Sequence, residues 1–209
     1  MEVVVERVVE ILKKTGALLE GHFILSSGLH SSNYVQCAKV FEYPEYGEEI
    51  GRLIAEKIQE ASVEVDIVVG PALGGVIVAY EVGKNLKARA IFTEREENVM
   101  KLRRGFEINE GEKVLIVEDV VTTGKSTFEV VDVAESYGGQ VVGFASIINR
   151  SGKENPFAEK TNGKPYFYLV KFDFPTYDPE DCPLCKSGIP PVKPGSRKIN
   201  TKWKSLLSV

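Results

Sequence analysis

Three features of the sequence predict an α/β fold: a central, mostly parallel sheet with helices on its faces. Asp66–Gly70, Val114–Val117 and Gln140–Ile148 are short, β-branched runs, apolar at nearly every position, the pattern of strands buried on both sides. The first two lead through a glycine-bearing turn into a helical stretch, and such strand–turn–helix units build parallel sheets. The 209 residues, 43% of them hydrophobic, supply the core of one such domain with a small appendage. We therefore expect a single domain over 1–209, with a segment outside the main sheet in 1–40 and a Pro/Gly-rich tail over 175–209.

Val4, Val8, Ile11 and Leu12 recur at helical spacing and make a first amphipathic helix, which Gly16 ends. Gly21 to Tyr34 alternates apolar and polar residues around Ser26-Ser27-Gly28, a short strand and turn outside the main sheet. Pro44 opens a second helix, with Ile50, Leu53, Ile54 and Ile58 on its buried face. The strand Asp66–Gly70 then enters Pro71-Ala72-Leu73-Gly74-Gly75 and a helix from about Val76. Ala88–Thr93 is a third strand. After it, Glu94 to Phe106 holds four cations with little helical or strand pattern, which predicts a solvated loop without fixed order. Further on, Gly138-Gly139 turn the chain into Gln140–Ile148, which ends at Asn149-Arg150, and Tyr166–Phe172 is the last strand.

The chemistry concentrates in Val114 to Thr127, V-L-I-V-E-D-V-V-T-T-G-K-S-T. A buried strand is followed by two acids, a turn of small residues and a helix with Val130, Val133, Ala134 and Tyr137 on one face. A turn at a helix N-terminus directs free N–H groups and positive dipole potential outward. Gly124 permits close backbone approach, and Thr122, Thr123, Ser126 and Thr127 add hydroxyls, so the loop can cradle a phosphate. Glu118 and Asp119 would repel a phosphate but suit paired hydroxyls, as on a ribose. A nucleotide P-loop is excluded, because its motif needs a glycine where this chain has Asp119.

Composition removes other classes. A net charge of −4 argues against general nucleic-acid binding, and no apolar run reaches the length of a membrane span. The start, M-E-V-V-V-E-R, is acidic where a signal peptide would be basic, so a cytoplasmic protein is expected. Three cysteines do not make a disulfide scaffold. Cys182 and Cys185 have zinc-knuckle spacing, but one pair supplies two ligands, so reduced structural thiols without zinc are expected.

The stretch from Val114 to Ser126 resembles the phosphoribosyl-pyrophosphate (PRPP) signature of type I phosphoribosyltransferases. The resemblance implies that fold, with a ribose-5-phosphate site formed by Val120, Val121, Thr122, Thr123, Gly124, Lys125 and Ser126, and with Glu118 and Asp119 on the ribose hydroxyls. It implies pyrophosphate binding by the backbone of Ala72 and Leu73, across a cis peptide in the family. This chain has Leu73-Gly74 where many homologues carry an aromatic–lysine pair, so backbone donors must serve. Arg95 to Arg104 corresponds to the family's mobile basic loop, which closes over pyrophosphate, often on the neighbouring subunit; Arg95 matches a PRPP contact, and Lys101, Arg103 and Arg104 are candidate catalytic cations. Phe23 to Tyr34 resembles the N-terminal hood of the orotate-using members, although Ser26 stands where bacterial members often carry lysine. His30 is read as a solvated turn histidine, with base or phosphate contact as the alternative. Arg150, with Thr122, would hold orotate, the arginine by two parallel hydrogen bonds to its carboxylate.

The resemblance thus implies transfer of phosphoribosyl from PRPP to orotate in pyrimidine synthesis by a homodimer with shared sites. Mg²⁺ would be held mainly by PRPP and pyrophosphate, with protein contacts mostly through water. A phosphoribosyltransferase for another base, and a PRPP-binding regulator on the same fold, are the alternatives.

Overall fold

The computed structural model describes residues 2–25 and 27–194; Ser26 and the tail beyond 194 lie outside them. The described chain forms two compact units, one of residues 2–17 and 36–173, the other of residues 18–35 and 174–194.

The larger unit begins with α1 (Glu2–Lys14), which buries Val8, Ile11 and Leu12. The smaller unit interrupts it with strands β1 (Leu18–Ile24) and β2 (His30–Val35). The larger unit resumes with α2 (Pro44–Glu60), β3 (Ile67–Pro71), α3 (Gly74–Leu86), β4 (Arg89–Glu96), β5 (Val99–Leu102) and β6 (Lys113–Val121). After these come α4 (Lys125–Ser136), β7 (Gln140–Asn149) and β8 (Tyr166–Lys171). Its six strands lie in the order β5-β4-β3-β6-β7-β8, all parallel except β5, which runs back along β4. Successive connections leave β3 toward β4 on one side and return to β6 on the other. The crevice at the carboxyl ends of β3 and β6 is therefore a topological switch point, where open α/β sheets take their ligands.

The β-branched runs form the core because every one of their side chains meets a covered face. Ile67, Val68 and Val69 of β3, and Val114 to Val117 of β6, have no exposed surface. Residues 2–17 and 36–40 belong to this unit, so only residues 18–35 of the segment 1–40 form part of the smaller one. On α4 the buried face is Thr127, Val130, Val131 and Ala134. Tyr137, expected on that face, ends the helix and is 48% exposed, so the buried stripe is centred nearer the helix start.

In the smaller unit β1, β2 and β9 (Thr176–Tyr177) form an antiparallel sheet in that order. A bulge between Glu20 and Phe23 interrupts the β1–β2 ladder. The tail continues through the short helix α5 (Pro183–Lys186) and returns to β1, where Phe23 bridges Val192.

Candidate active site

β6 carries Glu118 and Asp119 to the edge of the switch point. The strand does not stop at Val117: its ladder with β7 pairs Glu118 with Ser146 and continues to Val121 opposite Asn149. The acids therefore sit on a strand end rather than in a loop. The change from apolar to acidic side chains marks the end of the core, not the end of the backbone ladder. Asp119 Oδ1 accepts the Val120 N–H at 2.8 Å, and Glu118 Oε1 accepts the Asp119 N–H at 3.3 Å. Burial holds both carboxyls above the usual carboxylate range, and the neighbouring Asp119 charge raises Glu118 further. Two acids so placed titrate as one unit and retain a proton where exposed carboxylates are fully ionised.

The turn after β3 faces them. Ala72 and Leu73 are joined by a cis peptide, and the Ala72 N–H donates to Thr93 O at 2.7 Å. α3 starts at Gly74, two residues before the predicted Val76. A Cβ on Gly74 would lie 2.6 Å from the carboxyl carbon of Asp119, and one on Gly70 would lie 2.2 Å from Gly75 O. Only glycine at these positions lets the turn fold onto its own helix and bring its backbone up to the acids. Thr93, buried and missed by sequence reading, anchors that turn through its carbonyl.

Beyond Val121, Thr122 and Thr123 are exposed, and Gly124 caps α4 with φ +73°, a left-handed conformation that favours glycine. The first i to i−4 bond of the helix runs from Phe128 N to Gly124 O, so Lys125, Ser126 and Thr127 occupy the first turn, where N–H groups face an incoming anion. Thr127 is 3% exposed and turned into the core, which removes its hydroxyl from the cradle; Thr122, Thr123 and Ser126 remain.

The basic stretch forms a hairpin where the sequence predicts a patternless loop. β4 runs on to Glu96, turns at Glu97 and Asn98 (φ +51° and +64°), and pairs back through β5, with Glu94 opposite Lys101 and Arg95 opposite Met100. Alternation explains the hairpin: Met100 is 7% exposed and belongs to the sheet's core, Leu102 packs against that core, and Lys101 between them is exposed. Its cations are already paired. Arg95 meets Glu129, Lys101 meets Glu96 at 2.8 Å, Arg103 meets Glu96 at 3.1 Å, and Arg104 meets Glu94 at 3.0 Å.

Arg150 follows β7 directly. Its N–H donates to Val121 O at 2.8 Å, which fixes its backbone beside the acid strand. The buried Asn149, a second residue the sequence did not single out, holds the following loop: its Nδ2 donates to Lys153 O at 2.8 Å, and its Oδ1 accepts from Ser151 N at 3.0 Å. One unit thus brings the acids, the phosphate turn, the Ala72–Leu73 turn and Arg150 to the carboxyl edge of adjacent strands. In the other unit, His30 is no solvated turn residue but lies in β2, 6% exposed. Cys182 and Cys185 are no isolated pair, because His22 and His30 lie beside them.

Residues 38–164 match the phosphoribosyl transferase domain, and the chain belongs to that family. Orotate phosphoribosyltransferase of Thermotoga maritima is 59% identical over 190 residues, 91% of this chain and 98% of the relative. That of Caldanaerobacter subterraneus is 53% identical over 93% of this chain and 98% of the relative. A crystal structure of Mycobacterium tuberculosis orotate phosphoribosyltransferase in complex with PRPP superimposes with TM-score 0.64 at 25% identity, covering 80% of this chain and 96% of that one. Within the family, the chain groups with the orotate phosphoribosyltransferases.

Proposed function

We propose that this protein transfers the phosphoribosyl group of PRPP to orotate, giving orotidine 5′-monophosphate and pyrophosphate. The observation that carries the reading is the approach of Gly74 to Asp119, which sets a pyrophosphate-type turn and a ribose-type acid pair on one crevice. In the reaction, a ring nitrogen of orotate gives up its proton to solvent and bonds to the anomeric carbon while the bond to pyrophosphate breaks, its electron pair leaving with pyrophosphate. Positive charge develops on the ribose ring. Glu118 and Asp119 orient the ribose hydroxyls and offset that charge, and their strand-end setting supplies the preorganisation that electrostatic stabilisation requires. The N–H groups at the start of α4 and the Thr122, Thr123 and Ser126 hydroxyls hold the 5′-phosphate; Val120, Val121 and Lys125 complete that loop. The Leu73 N–H, on a turn that the Ala72 N–H anchors to Thr93 O, holds pyrophosphate, and Arg150 with Thr122 holds orotate.

Glu118 and Asp119 offer hard oxygens at this crevice that would meet a substrate-borne Mg²⁺ through water. When bound, mainly through substrate oxygens, Mg²⁺ neutralises pyrophosphate charge. We also read the protein as a cytoplasmic homodimer. Leu73, Ile77 and Tyr80 form an apolar stripe along α3, 88%, 45% and 63% exposed, and a second copy covering it would remove that surface from water. The β4–β5 hairpin, with Arg95, Lys101 and Arg103, then serves the neighbouring subunit's pyrophosphate by exchanging its glutamate partners for phosphate oxygens.

Pyrophosphate release measured with PRPP and a panel of bases tests the substrate: orotate should be turned over, and adenine, hypoxanthine and uracil should not. Arg150→Ala should raise KM for orotate far more than for PRPP, with a loss in kcat/KM on the order of 2–4 kcal/mol, as expected for a charge-assisted bidentate pair. Equal effects on both substrates would remove Arg150 from the base site.

A further inference from the structure

The smaller unit holds a cluster that the transferase reaction does not use. His22, His30, Cys182 and Cys185 each offer one ligand atom, and the four atoms lie within 4.8 Å of one another. Three of the residues are buried: His22 is 2% exposed, His30 6% and Cys182 0%. Burying two imidazoles and a thiol is costly unless their polar atoms find partners.

The hairpin is built to present both rings. Ile24 pairs with His30, and His22 lies two residues before Ile24, so the two histidines share one face of the β1–β2 ladder. The bulge between Glu20 and Phe23 lies at His22, in the kind of place where bulges re-aim a side chain. The tail supplies the thiols: Cys182 stands at the N-cap of α5 and Cys185 within it. Val192 then bonds back to β1, donating to His22 O at 2.8 Å and accepting from Ile24 N at 2.9 Å.

Hydrogen bonding sets the tautomer of His22. Its Nδ1 lies 2.6 Å from Ile189 O, and a carbonyl oxygen can only accept, so Nδ1 carries the proton. In the neutral ring Nε2 is then a lone pair, aimed at the other three groups. His30 Nδ1 is 2.7 Å away, Cys182 Sγ 3.5 Å and Cys185 Sγ 3.8 Å, and Cys185 Sγ is 3.3 Å from His30 Nδ1. One lone pair cannot serve three converging partners; a cation at their centre can. The sulfur–nitrogen edges fit as well. Bond lengths of about 2.3 Å to sulfur and about 2.0 Å to nitrogen put sulfur and nitrogen ligands about 3.5 Å apart on a tetrahedron. The bond from His22 to Ile189 O is the outer-shell contact that normally fixes a metal-bound histidine.

We propose that these four residues bind one Zn²⁺ as a closed, tetrahedral Cys₂His₂ site that fastens the tail to the hairpin. Two nitrogens and two thiolates in this arrangement select Zn²⁺ among available divalent ions, and four protein ligands leave no open position for catalysis. The unit needs such a fastening. Among its described residues only Phe23, Val35 and Cys182 are buried apolar side chains, too small a core to hold an irregular tail by itself. Cys182 and Cys185 do not stand as a lone pair of ligands, because the other two lie about 160 residues earlier in the chain, on the paired strands β1 and β2 rather than in a second knuckle.

The test is the metal content of the full-length protein, purified without chelator and measured by inductively coupled plasma mass spectrometry. About one Zn²⁺ per chain is expected, falling below about a tenth in Cys182→Ser/Cys185→Ser. If that variant fails to fold, wild-type protein stripped of metal under reducing conditions and titrated with Co²⁺ decides. It should develop the visible d–d bands of tetrahedral cobalt and a near-ultraviolet thiolate charge-transfer band, saturating at about one equivalent. Chelation should also speed proteolysis within 178–194 while sparing 67–149. Protein without zinc whose reduced form gives no cobalt bands, or a double variant that keeps its full zinc, would overturn the proposal.

Discussion

The acid strand end and the basic hairpin belong to the same sheet and handle charge in opposite ways. Glu118 and Asp119 are adjacent like charges, mostly removed from water, on the inner strand β6 between two partners. The cations Arg95, Lys101, Arg103 and Arg104 lie on or just after an edge hairpin, largely exposed, and each is matched with glutamate. The acids sit in a fixed place where their charge is unfavourable until a ligand arrives. The cations are neutralised in advance and give up little to change partners, because exposed ion pairs contribute only about 0–1 kcal/mol each. Fixed, costly charge suits a group that meets the developing charge of a transition state. Cheap, exchangeable charge suits one that must bind and release a polyanion.

The largest effect should come from the acids. Glu118→Gln with Asp119→Asn should lower kcat/KM on the order of 10³-fold or more while leaving the fold intact by circular dichroism, since the substitutions keep shape and remove charge. A loss below about tenfold would mean that the pair does not meet the reacting ribose.

Mixed dimers address the hairpin. One chain carries alanine at Arg95, Lys101, Arg103 and Arg104 together; the other carries the acid-pair substitutions and an intact hairpin. Each homodimer should be inactive. A mixed dimer showing about half of wild-type activity, on simple site counting, would place the hairpin at its neighbour's site. A mixed dimer as dead as its parents would mean that each hairpin serves its own subunit.

The smallest effect concerns stability, and its sign separates the two regions. A carboxyl whose folded-state pKa is raised binds a proton in the folded protein that the unfolded chain releases earlier as pH rises. Above the ordinary carboxylate range the folded state therefore holds more protons, and stability falls with rising pH until the raised pKa values are passed. The acid-pair variant lacks this loss. Its melting temperature should exceed that of the wild type by a few degrees near pH 8, and the gap should shrink toward about pH 5. Differential scanning calorimetry of both proteins across that range reads the difference; a gap that widens on acidification would show the acids to be stabilising instead.

By itself, the sequence determined the pieces whose signal is local. Consecutive β-branched residues marked β3, β6 and β7 because a strand covered on both faces needs apolar side chains at every position. The acids, the small turn and the start of α4 were legible because thirteen neighbouring residues carry both the geometry and the chemistry. Tertiary structure decided the rest, for reasons of distance and of weak local signal. Gly74 and Asp119 meet only because the sheet puts β3 beside β6. The basic stretch read as a loop because its charges conceal a short alternation, and it becomes a hairpin because Met100 and Leu102 find the core beneath them. Tyr137 fits the helical period of α4 yet falls where the helix ends. The two histidines and two cysteines form a cluster only after the tail returns to the hairpin, a contact between residues some 160 apart that no spacing along the chain encodes.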